Sequence, residues 1–409
     1  MVHVVFVIPF AMENTVRFAR AAMSLPGVRL SVVSQDDARQ FPADFVAGLA
    51  GFERVADALR TADLIDGIRT LAARLGPPER LLGILETLQE SLATVREQLR
   101  IRGMDNTTAR NFRDKARMKD LFAAHDLPCA RHRLCGTLAE AHEFARRVGF
   151  PLVGKPPAGA GAKSTSRVDT MEELTALLRR SPPAPGREVL LEEFVLGREF
   201  SFDTVTLHGQ HVFHNICCYH PTPLEVMENP WIQWCVVLPR DLGGAEFADI
   251  RRLGPRALSV LGMWTGMSHL EWFRRPDGSL AIGEVAARPP GAQFTTLMGL
   301  VTDADLYRAF AQLMIDETFT PLERRYAAGA AYLRGQGGGE GAVVRGVRGL
   351  EEACADLGEL LVQVRAPVVG KAASTSYEGD GFVLVRHPDT TLVEKAVRHI
   401  VDTVRVDLA

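Results

Sequence analysis

Residues 269–293 read HLEWFRRPDGSLAIGEVAARPPGAQ. Glu271 lies in a predicted short strand, Asp277-Gly278 marks a hairpin turn, and Glu284 follows on the return strand. A hairpin can bring two carboxylates onto one face, and two acidic donors suit Mg²⁺, which binds few protein carboxylates together with phosphate oxygens. Arg288 can grip a phosphate or a carboxylate through two hydrogen bonds. This segment alone is equally consistent with a solvated hairpin that carries surface charges.

A loop of small residues follows the predicted strand Phe150–Lys155. Residues 156–166 read PPAGAGAKSTS, and such residues let backbone N–H groups approach phosphate oxygens while Lys155 adds a point charge. The segment is not a P-loop, because the order G-x-x-x-x-G-K-[ST] is absent and no helix begins at Lys155. A flexible surface loop is the alternative, but strand-Lys-Pro followed by Gly-Ala-Gly favours phosphate binding.

The third cluster, residues 190–201, reads LLEEFVLGREFS. An apolar strand ends in Glu192 and Glu193, the chain turns at Gly197, and a second strand follows. The extended backbone can offer N–H and C=O groups to the edge of a base, and Glu199 can accept hydrogen bonds from ribose hydroxyls. In isolation, a hairpin with exposed acids is the default interpretation.

The length of 409 residues allows roughly two to four domains and a large buried core. Hydrophobic residues make up 46% and charged residues 24%, and the formal net charge is −3 without a long run of one sign. This composition argues against nucleic-acid or membrane-surface binding through bulk charge. The six cysteines form no C-x-x-C pair, so reduced thiols are expected rather than zinc ligands or disulfides.

The chain begins with the apolar segment Val2–Phe10, which lacks a basic n-region and predicts a buried strand rather than a signal peptide. A helix over Glu13–Leu25 and a strand over Arg29–Ser34 complete a βαβ unit. Helical periodicity predicts one helix over Pro78–Arg100 and another over Thr107–His125. No apolar run approaches the roughly 18 to 20 residues that span a bilayer, so a cytoplasmic location is expected.

The order of these clusters resembles the ATP-grasp superfamily. The matching features are Lys115, then Lys155 with its loop, then Glu-Glu-Phe-Val-x-Gly-x-Glu at 192–199, and then Glu271 and Glu284. Lys115 alone would be taken for a surface lysine. The form Glu-x-Ala-Ala-Arg at 284–288 is similar to the L-amino-acid ligase branch, which forms dipeptides. The same stretch also resembles the bicarbonate-using ligases.

The resemblance implies a mixed α/β and α+β fold over roughly residues 1–400. A Rossmann-like parallel α/β domain is expected at 1–105, followed at 106–195 by a small lobe that covers ATP. A large lobe with the metal site is expected at 196–325. A small α+β domain packed on the large lobe is expected at 326–409.

The resemblance also implies residue roles. Lys155 and Arg288 would be catalytic at the transferred phosphate, and Glu271 and Glu284 would hold Mg²⁺, for which Mn²⁺ can substitute. Residues 158–166 would be a mobile loop over the phosphates. Glu192 would face the adenine amino group, the backbones of Glu193 and Val195 would form the hinge, and Glu199 would bind ribose. The implied nucleotide contacts are Lys115, Lys155, Gly159, Ala160, Gly161, Ala162, Ser164, Glu192, Glu193, Phe194, Val195 and Glu199.

Three positions depart from the family pattern. Ala286 stands where many members have Asn, so protein alone would hold the metal less fully. The stretch WIQWCVVLP at 231–239 lacks the acid and histidine that grip a substrate amine in the dipeptide-forming branch. Ala292 replaces a bulky aromatic residue, which suggests more room for the second substrate.

The implied reaction phosphorylates a carboxylate with ATP and then forms an amide from the acyl phosphate and an amine. Amino-acid-like small molecules are the expected partners, with no nucleic acid and no membrane, and a homodimer is the default assembly. One alternative is a carboxyphosphate-forming ligase of the purine-biosynthesis or biotin carboxylase type. The other is a nucleotide-binding protein without ligase chemistry.

Overall fold

The computed structural model describes residues 1–158, 165–229, 231–336 and 341–409. These residues form four β-sheets of four, eight, three and four strands, with α-helices packed against them. In the described ranges, no helix has the length and apolar character needed to cross a membrane.

The first sheet is parallel and has helices on both faces. Its strand order is β3-β2-β1-β4. Val4 and Phe6 of the first strand enter one hydrophobic core, and the alternate residues Val5 and Val7 enter another. The elements are β1 (Val2–Val7), α1 (Glu13–Met23), β2 (Val28–Ser34), α2 (Ala43–Ala47), β3 (Gly51–Arg54), α3 (Thr61–Leu75), β4 (Arg80–Leu82) and α4 (Gln89–Leu99), with short 3₁₀ turns at Ala38–Gln40 and Glu86–Leu88.

The single helix predicted over Pro78–Arg100 is wrong in its first half. Leu81 and Leu82 lie in β4 and pair with β1, and the helix begins only at Gln89. A short apolar run such as Leu81-Leu82 is compatible with a helix or a strand. Here it pairs with the open edge of the sheet, and this pairing decides for the strand.

The helix predicted over Thr107–His125 is divided into α5 (Asn106–Arg113) and α6 (Lys115–Ala124). Asp114 lies between them, and its side chain accepts hydrogen bonds from the N–H groups of Ala116 and Arg117. This N-cap places Lys115 in the first turn of α6.

The small antiparallel sheet has the order β5-β8-β6-β7. Its elements are β5 (His132–Cys135), α7 (Leu138–Val148), β6 (Leu152–Lys155), β7 (Ser166–Val168), α8 (Met171–Arg180) and β8 (Val189–Glu193). Val153 pairs with Glu192, so Lys155, two residues further along β6, projects from the same face as Glu192.

The eight-stranded antiparallel sheet has the order β13-β12-β9-β10-β11-β14-β18-β17, and the three-stranded sheet has the order β15-β19-β16. The elements are β9 (Arg198–Leu207), β10 (Gln210–His220), α9 (Pro223–Glu228), β11 (Trp234–Leu238), α10 (Ala248–Leu261), β12 (Gly266–Arg274), β13 (Leu280–Ala286), α11 (Phe294–Thr302), α12 (Leu306–Ile315), β14 (Ala327–Leu333), β15 (Gly335–Gln336), β16 (Val344–Arg348), α13 (Leu350–Leu357), β17 (Leu361–Arg365), β18 (Gly381–His387), α14 (Thr390–Thr403) and β19 (Arg405–Leu408), with 3₁₀ turns at Ala245–Phe247 and Gly358–Leu360.

The large sheet continues across residue 325, because β14, β18 and β17 extend the sheet begun by β9–β13. The boundary between the domains expected at 196–325 and 326–409 therefore runs through one hydrogen-bonded sheet. The mixed α/β and α+β class expected from the resemblance is confirmed.

Candidate active site

A cavity of about 490 Å³ opens between α6, the small sheet and one face of the large sheet. It collects the following expected site residues: Lys115, Lys155, Glu192, Glu193, Phe194, Val195, Glu199, Glu271, Glu284 and Arg288. Thr165 lines it as well, whereas the expected contacts Gly159, Ala160, Gly161, Ala162 and Ser164 lie outside the described residues.

The hairpin of β12 and β13 carries a β-bulge at its acidic pair. Leu270 pairs with Val285 and Trp272 with Ile282, so Glu271 faces both Gly283 and Glu284. Bulges re-aim side chains beside active sites. A Cβ atom on Gly283 would lie 3.0 Å from the backbone oxygen of Glu271, so glycine allows the strands to come this close.

Lysines and carboxylates alternate across the cavity. Lys115 Nζ lies 3.1 Å from Glu284 Oε2, and Lys155 Nζ lies 3.8 Å from the same oxygen and 3.1 Å from Glu192 Oε2. Burial by itself would raise the pKa of the Glu284 carboxyl, but the ammonium groups of Lys115 and Lys155 outweigh it and lower that pKa to about 2. Glu284 is therefore ionised at neutral pH.

Lys119 belongs to this cluster and was not predicted from the sequence. Its side chain is 1% exposed, and Nζ donates a 2.8 Å hydrogen bond to the Gly283 carbonyl and lies 3.6 Å from Glu192 Oε2. Glu192 Oε1 is buried without a hydrogen-bond partner in the described part of the chain. The i,i+4 spacing of Lys115 and Lys119, which puts both on one helix face, was the available signal.

The hinge segment is held by its own side chains. The Glu193 carboxylate pairs with Arg131 and, at 2.7 Å, with Arg275. The guanidinium of Arg167 lies 4.5 Å from the centroid of the Phe194 ring. Among the described residues, the N–H of Val195 has no hydrogen-bond partner, so it can bind the edge of a base.

Glu199 interacts electrostatically with Glu271 and Glu284, the two carboxylates at which the metal was expected. Burial raises the pKa of Glu199 well above its ordinary value, and the charges of Glu271 and Glu284 raise it further. A cation bound here would relieve that repulsion. Within the described ranges, no group of three His, Cys, Asp or Glu side chains could hold a metal by itself. The arrangement fits Mg²⁺, which uses one or two carboxylates and takes further oxygens from phosphates and water.

Arg288 is positioned by a residue of the first sheet's domain. Its Nε lies 2.9 Å from Glu86 Oε2, while Arg113 Nη1 lies 2.8 Å from Glu86 Oε1. Glu86 lines the cavity and was not predicted, because it lies in a short turn within the region read as one helix.

A buried polar chain extends the site behind Glu271. His269 Nδ1 lies 2.5 Å from Asp203 Oδ1, and His269 Nε2 lies 3.6 Å from Glu271 Oε1. Burial lowers the pKa of His269, but the charge and hydrogen bond of Asp203 outweigh it and raise the pKa to about 9. The alternation His-x-Glu in a strand was the sequence signal that places both side chains on one face.

Comparisons with known proteins agree with this geometry. Residues 114–204 match the family model of the carbamoyl-phosphate synthase L chain, ATP-binding domain. The L-arginine-specific L-amino acid ligase of Bacillus subtilis is 23% identical over 252 residues, which are 59% of this chain and 60% of that protein. The chain spans little more than half the length of the first curated relatives it matches.

Two solved structures show the fold over nearly the whole chain. The L-amino acid ligase of Bacillus licheniformis has a TM-score of 0.76 at 18% identity, covering 99% of this chain and 98% of that one. The N5-carboxyaminoimidazole ribonucleotide synthetase of Thermotoga maritima has a TM-score of 0.70 at 16% identity, and the match covers 100% of this chain and 99% of that one.

The chain has the ATP-grasp fold. The expected resemblance to this ligase superfamily and to its L-amino-acid ligases is confirmed, and the matched ATP-binding domain supports ATP as the nucleotide. Of the three departures from the ATP-grasp pattern, Ala286 lines the cavity. Ala292 is not among the described residues that line it, although its neighbour Gly291 is.

Proposed function

We propose that the protein is an ATP- and Mg²⁺-dependent carboxylate–amine ligase that forms an amide through an acyl phosphate. The observation that supports this proposal is that one cavity is lined by the two lysines, the bulged carboxylate pair and Arg288, and also by side chains of α9 and β11 beyond them. A nucleotide-binding protein without chemistry would have no need for that arrangement.

The chain's own residues supply positioning and charge. ATP would draw the ammonium groups of Lys115 and Lys155 from Glu284 and Glu192 to its phosphates. Glu271 and Glu284 would hold Mg²⁺, which neutralises phosphate charge when it is bound. Glu86 holds Arg288 so that its remaining N–H groups can face the transferred phosphoryl group.

In the proposed reaction, a carboxylate oxygen attacks the γ-phosphorus and the bond to the β-phosphate bridging oxygen breaks, releasing ADP. The amine nitrogen then attacks the acyl carbon, the carbon–oxygen bond to phosphate breaks, and the amine proton leaves to phosphate or solvent. Closure of the site around the nucleotide would keep water from the acyl phosphate.

A carboxyphosphate-forming ligase is the second candidate, because the family match is to the carbamoyl-phosphate synthase ATP-binding domain. That match ends at residue 204, before the substrate side of the cavity, so it favours ATP use without distinguishing bicarbonate from an organic acid.

The test is phosphate release from ATP and Mg²⁺ by the purified protein, across carboxylates and amines, with and without bicarbonate. Mass spectrometry should find a product equal to acid plus amine minus water. Turnover that requires bicarbonate would favour the second candidate, and absence of turnover with every combination would contradict the proposal.

A further inference from the structure

We infer that the carboxylate substrate carries an aromatic or large apolar group, bound by an aromatic wall that we define as Tyr219, Trp234, Phe294 and Tyr377. This inference deepens the proposed function and rests on it. The four residues line the same cavity as the metal carboxylates and Arg288.

Strand register places the wall directly beside the acidic residues. Glu271 pairs with Ser201 on β9, and Cys218 on β10 pairs with Phe200, which sets Tyr219 next to Glu199 on the same face. Strands are spaced about 4.8 Å apart, so Tyr219 lies two strands, or roughly 10 Å, from Glu271. Trp234 follows on β11 from the same face.

The rings of the wall pack against one another. Tyr219 lies with its ring centroid 6.1 Å from that of Trp234 and 5.9 Å from that of Phe294, and Trp234 lies 5.9 Å from Tyr377. Behind the wall, Tyr332 pairs with Trp234 across the strands and stacks on it at 4.6 Å. The wall is rigid, because Trp234 Nε1 also donates a 2.6 Å hydrogen bond to the Tyr377 carbonyl.

Two residues of the wall lie close to the expected site residues. The Phe294 ring lies 5.9 Å from the ring of His269, which contacts Glu271, and Tyr377 is close enough to Arg288 that the guanidinium charge acts on its hydroxyl. The group held by the wall is therefore attached to the carboxylate that faces Arg288, rather than to the distant hinge.

The charges around the wall disfavour an acidic substrate group, because Glu225 and Glu228 of α9 also line the cavity. A basic group could pair with them, and L-arginine in the test measures that alternative. Apart from Arg288, which is already paired with Glu86, the described cations of the cavity belong to the nucleotide side or, like His269, are paired with a carboxylate. Among the described residues, an acidic substrate group would find no unpaired cation there and would meet Glu225 and Glu228. Leu224 and Met227 of α9 add apolar surface opposite, and a short aliphatic acid would leave this surface uncovered.

The test uses hydroxylamine to trap the acyl phosphate as a hydroxamate, which removes the unknown amine from the experiment. The acids are 3-phenylpropionate and L-phenylalanine, compared with propionate, L-alanine, succinate, L-aspartate and L-arginine. We expect kcat/KM to be at least about tenfold higher for the aromatic acids, the discrimination that a hydrophobic pocket gives for a small apolar group.

Two variants locate the effect. Leu224→Trp, on a half-buried helix, should fill the pocket and lower kcat/KM for the aromatic acids about tenfold, with little change in the KM for ATP. Trp234→Leu should raise the KM for aromatic acids, whereas Trp264→Leu, which changes an exposed tryptophan outside the cavity, should not.

A higher kcat/KM for the acids with a short, acidic or basic side chain than for the aromatic acids would overturn the inference. The proposed ligase function would still stand. If no acid yields hydroxamate, the proposed function fails, and the wall is then tested by tryptophan fluorescence of the Trp264→Leu protein with ATP and Mg²⁺. Saturable quenching by 3-phenylpropionate and not by propionate supports the wall, and its absence overturns it.

Discussion

At the level of single residues, the carboxylate of Glu284 is where the proposed nucleotide and metal contacts meet. It contacts Lys115 and Lys155, the two lysines expected at phosphates, and faces Glu271 across the bulge. The sequence could predict these residues because each belongs to a motif with characteristic spacing. It could not predict Glu86 or Asp203, whose roles depend on contacts between distant segments, whereas Lys119 had a local signal in its i,i+4 spacing from Lys115.

Glu284→Gln should lower ADP formation by roughly 10² or more, because a neutral amide neither neutralises the lysines nor holds Mg²⁺ well. An assay of ADP release checks this prediction, and circular dichroism checks that the variant is folded. Asp277→Asn, at the exposed turn of the same hairpin, is the matched control and should keep its activity. Full turnover by a folded Glu284→Gln protein would remove Glu284 from the metal site.

Glu86→Gln should lower kcat by about tenfold, with the KM for ATP unchanged, because Arg288 loses its charged partner. Arg288→Ala should cost about 10² in kcat. If Glu86 acts only by positioning Arg288, the double variant should be no worse than Arg288→Ala, which a double-mutant cycle measures. Additive losses would mean that Glu86 has a separate role, and exposed Glu79→Gln serves as the control.

At the level of secondary-structure elements, the hairpin of β12 and β13 was predictable from its turn, but its bulge was not. The bulge depends on the pairing between the strands, which alternating sequence does not specify. The two mistaken helices have related causes. Asp114 is compatible with a continuous helix by sequence, and only its capping hydrogen bonds show that a new helix begins there. Leu81 is compatible with a helix by sequence, and only its pairing with β1 shows that it lies in a strand.

Gly283→Ala should lower kcat by about tenfold or more without unfolding the protein, because the new Cβ would press on the Glu271 carbonyl and shift the carboxylate pair. Steady-state kinetics and a thermal melt check the prediction. Gly346→Ala, with its nearest neighbour 3.9 Å away, is the control. Wild-type kinetics in the Gly283→Ala protein would show that the close approach has no part in placing the acids.

At the level of the whole molecule, one antiparallel sheet links Glu271 and Glu284 to the C-terminal strands, and the cavity draws residues from distant parts of the chain. Motif order was enough to predict this fold class. Strands on both sides of residue 325 belong to one sheet, and strand order of this kind cannot be predicted from local sequence.

Buried and half-buried histidines make stability depend on pH. Burial lowers the pKa of His214 to about 4, helped by the charges of Arg324 and Arg251. Between the unfolded value near 6.5 and pH 4, the unfolded chain binds more protons, so stability falls as pH falls through this window. His3, His211 and His220 shift in the same direction because of burial.

His269 and Glu199, whose pKa values are raised, change stability in the opposite direction, so the prediction concerns a difference between proteins. From pH 7.5 to pH 5, the urea midpoint of the wild type should fall relative to that of His214→Phe, which can keep the stacking on Phe202. His125→Phe, at an exposed position, should behave like the wild type. An equal change in the wild-type and His214→Phe proteins would contradict this assignment.

The most direct measurement follows oxygen from the acid to phosphate. With an active carboxylate labelled with ¹⁸O at both oxygens, an acyl phosphate requires one labelled oxygen in each phosphate released during amide formation, detected by ³¹P NMR. We expect that label in every phosphate. Unlabelled phosphate, or label that arrives only from ¹⁸O-bicarbonate, would contradict an acyl-phosphate ligase.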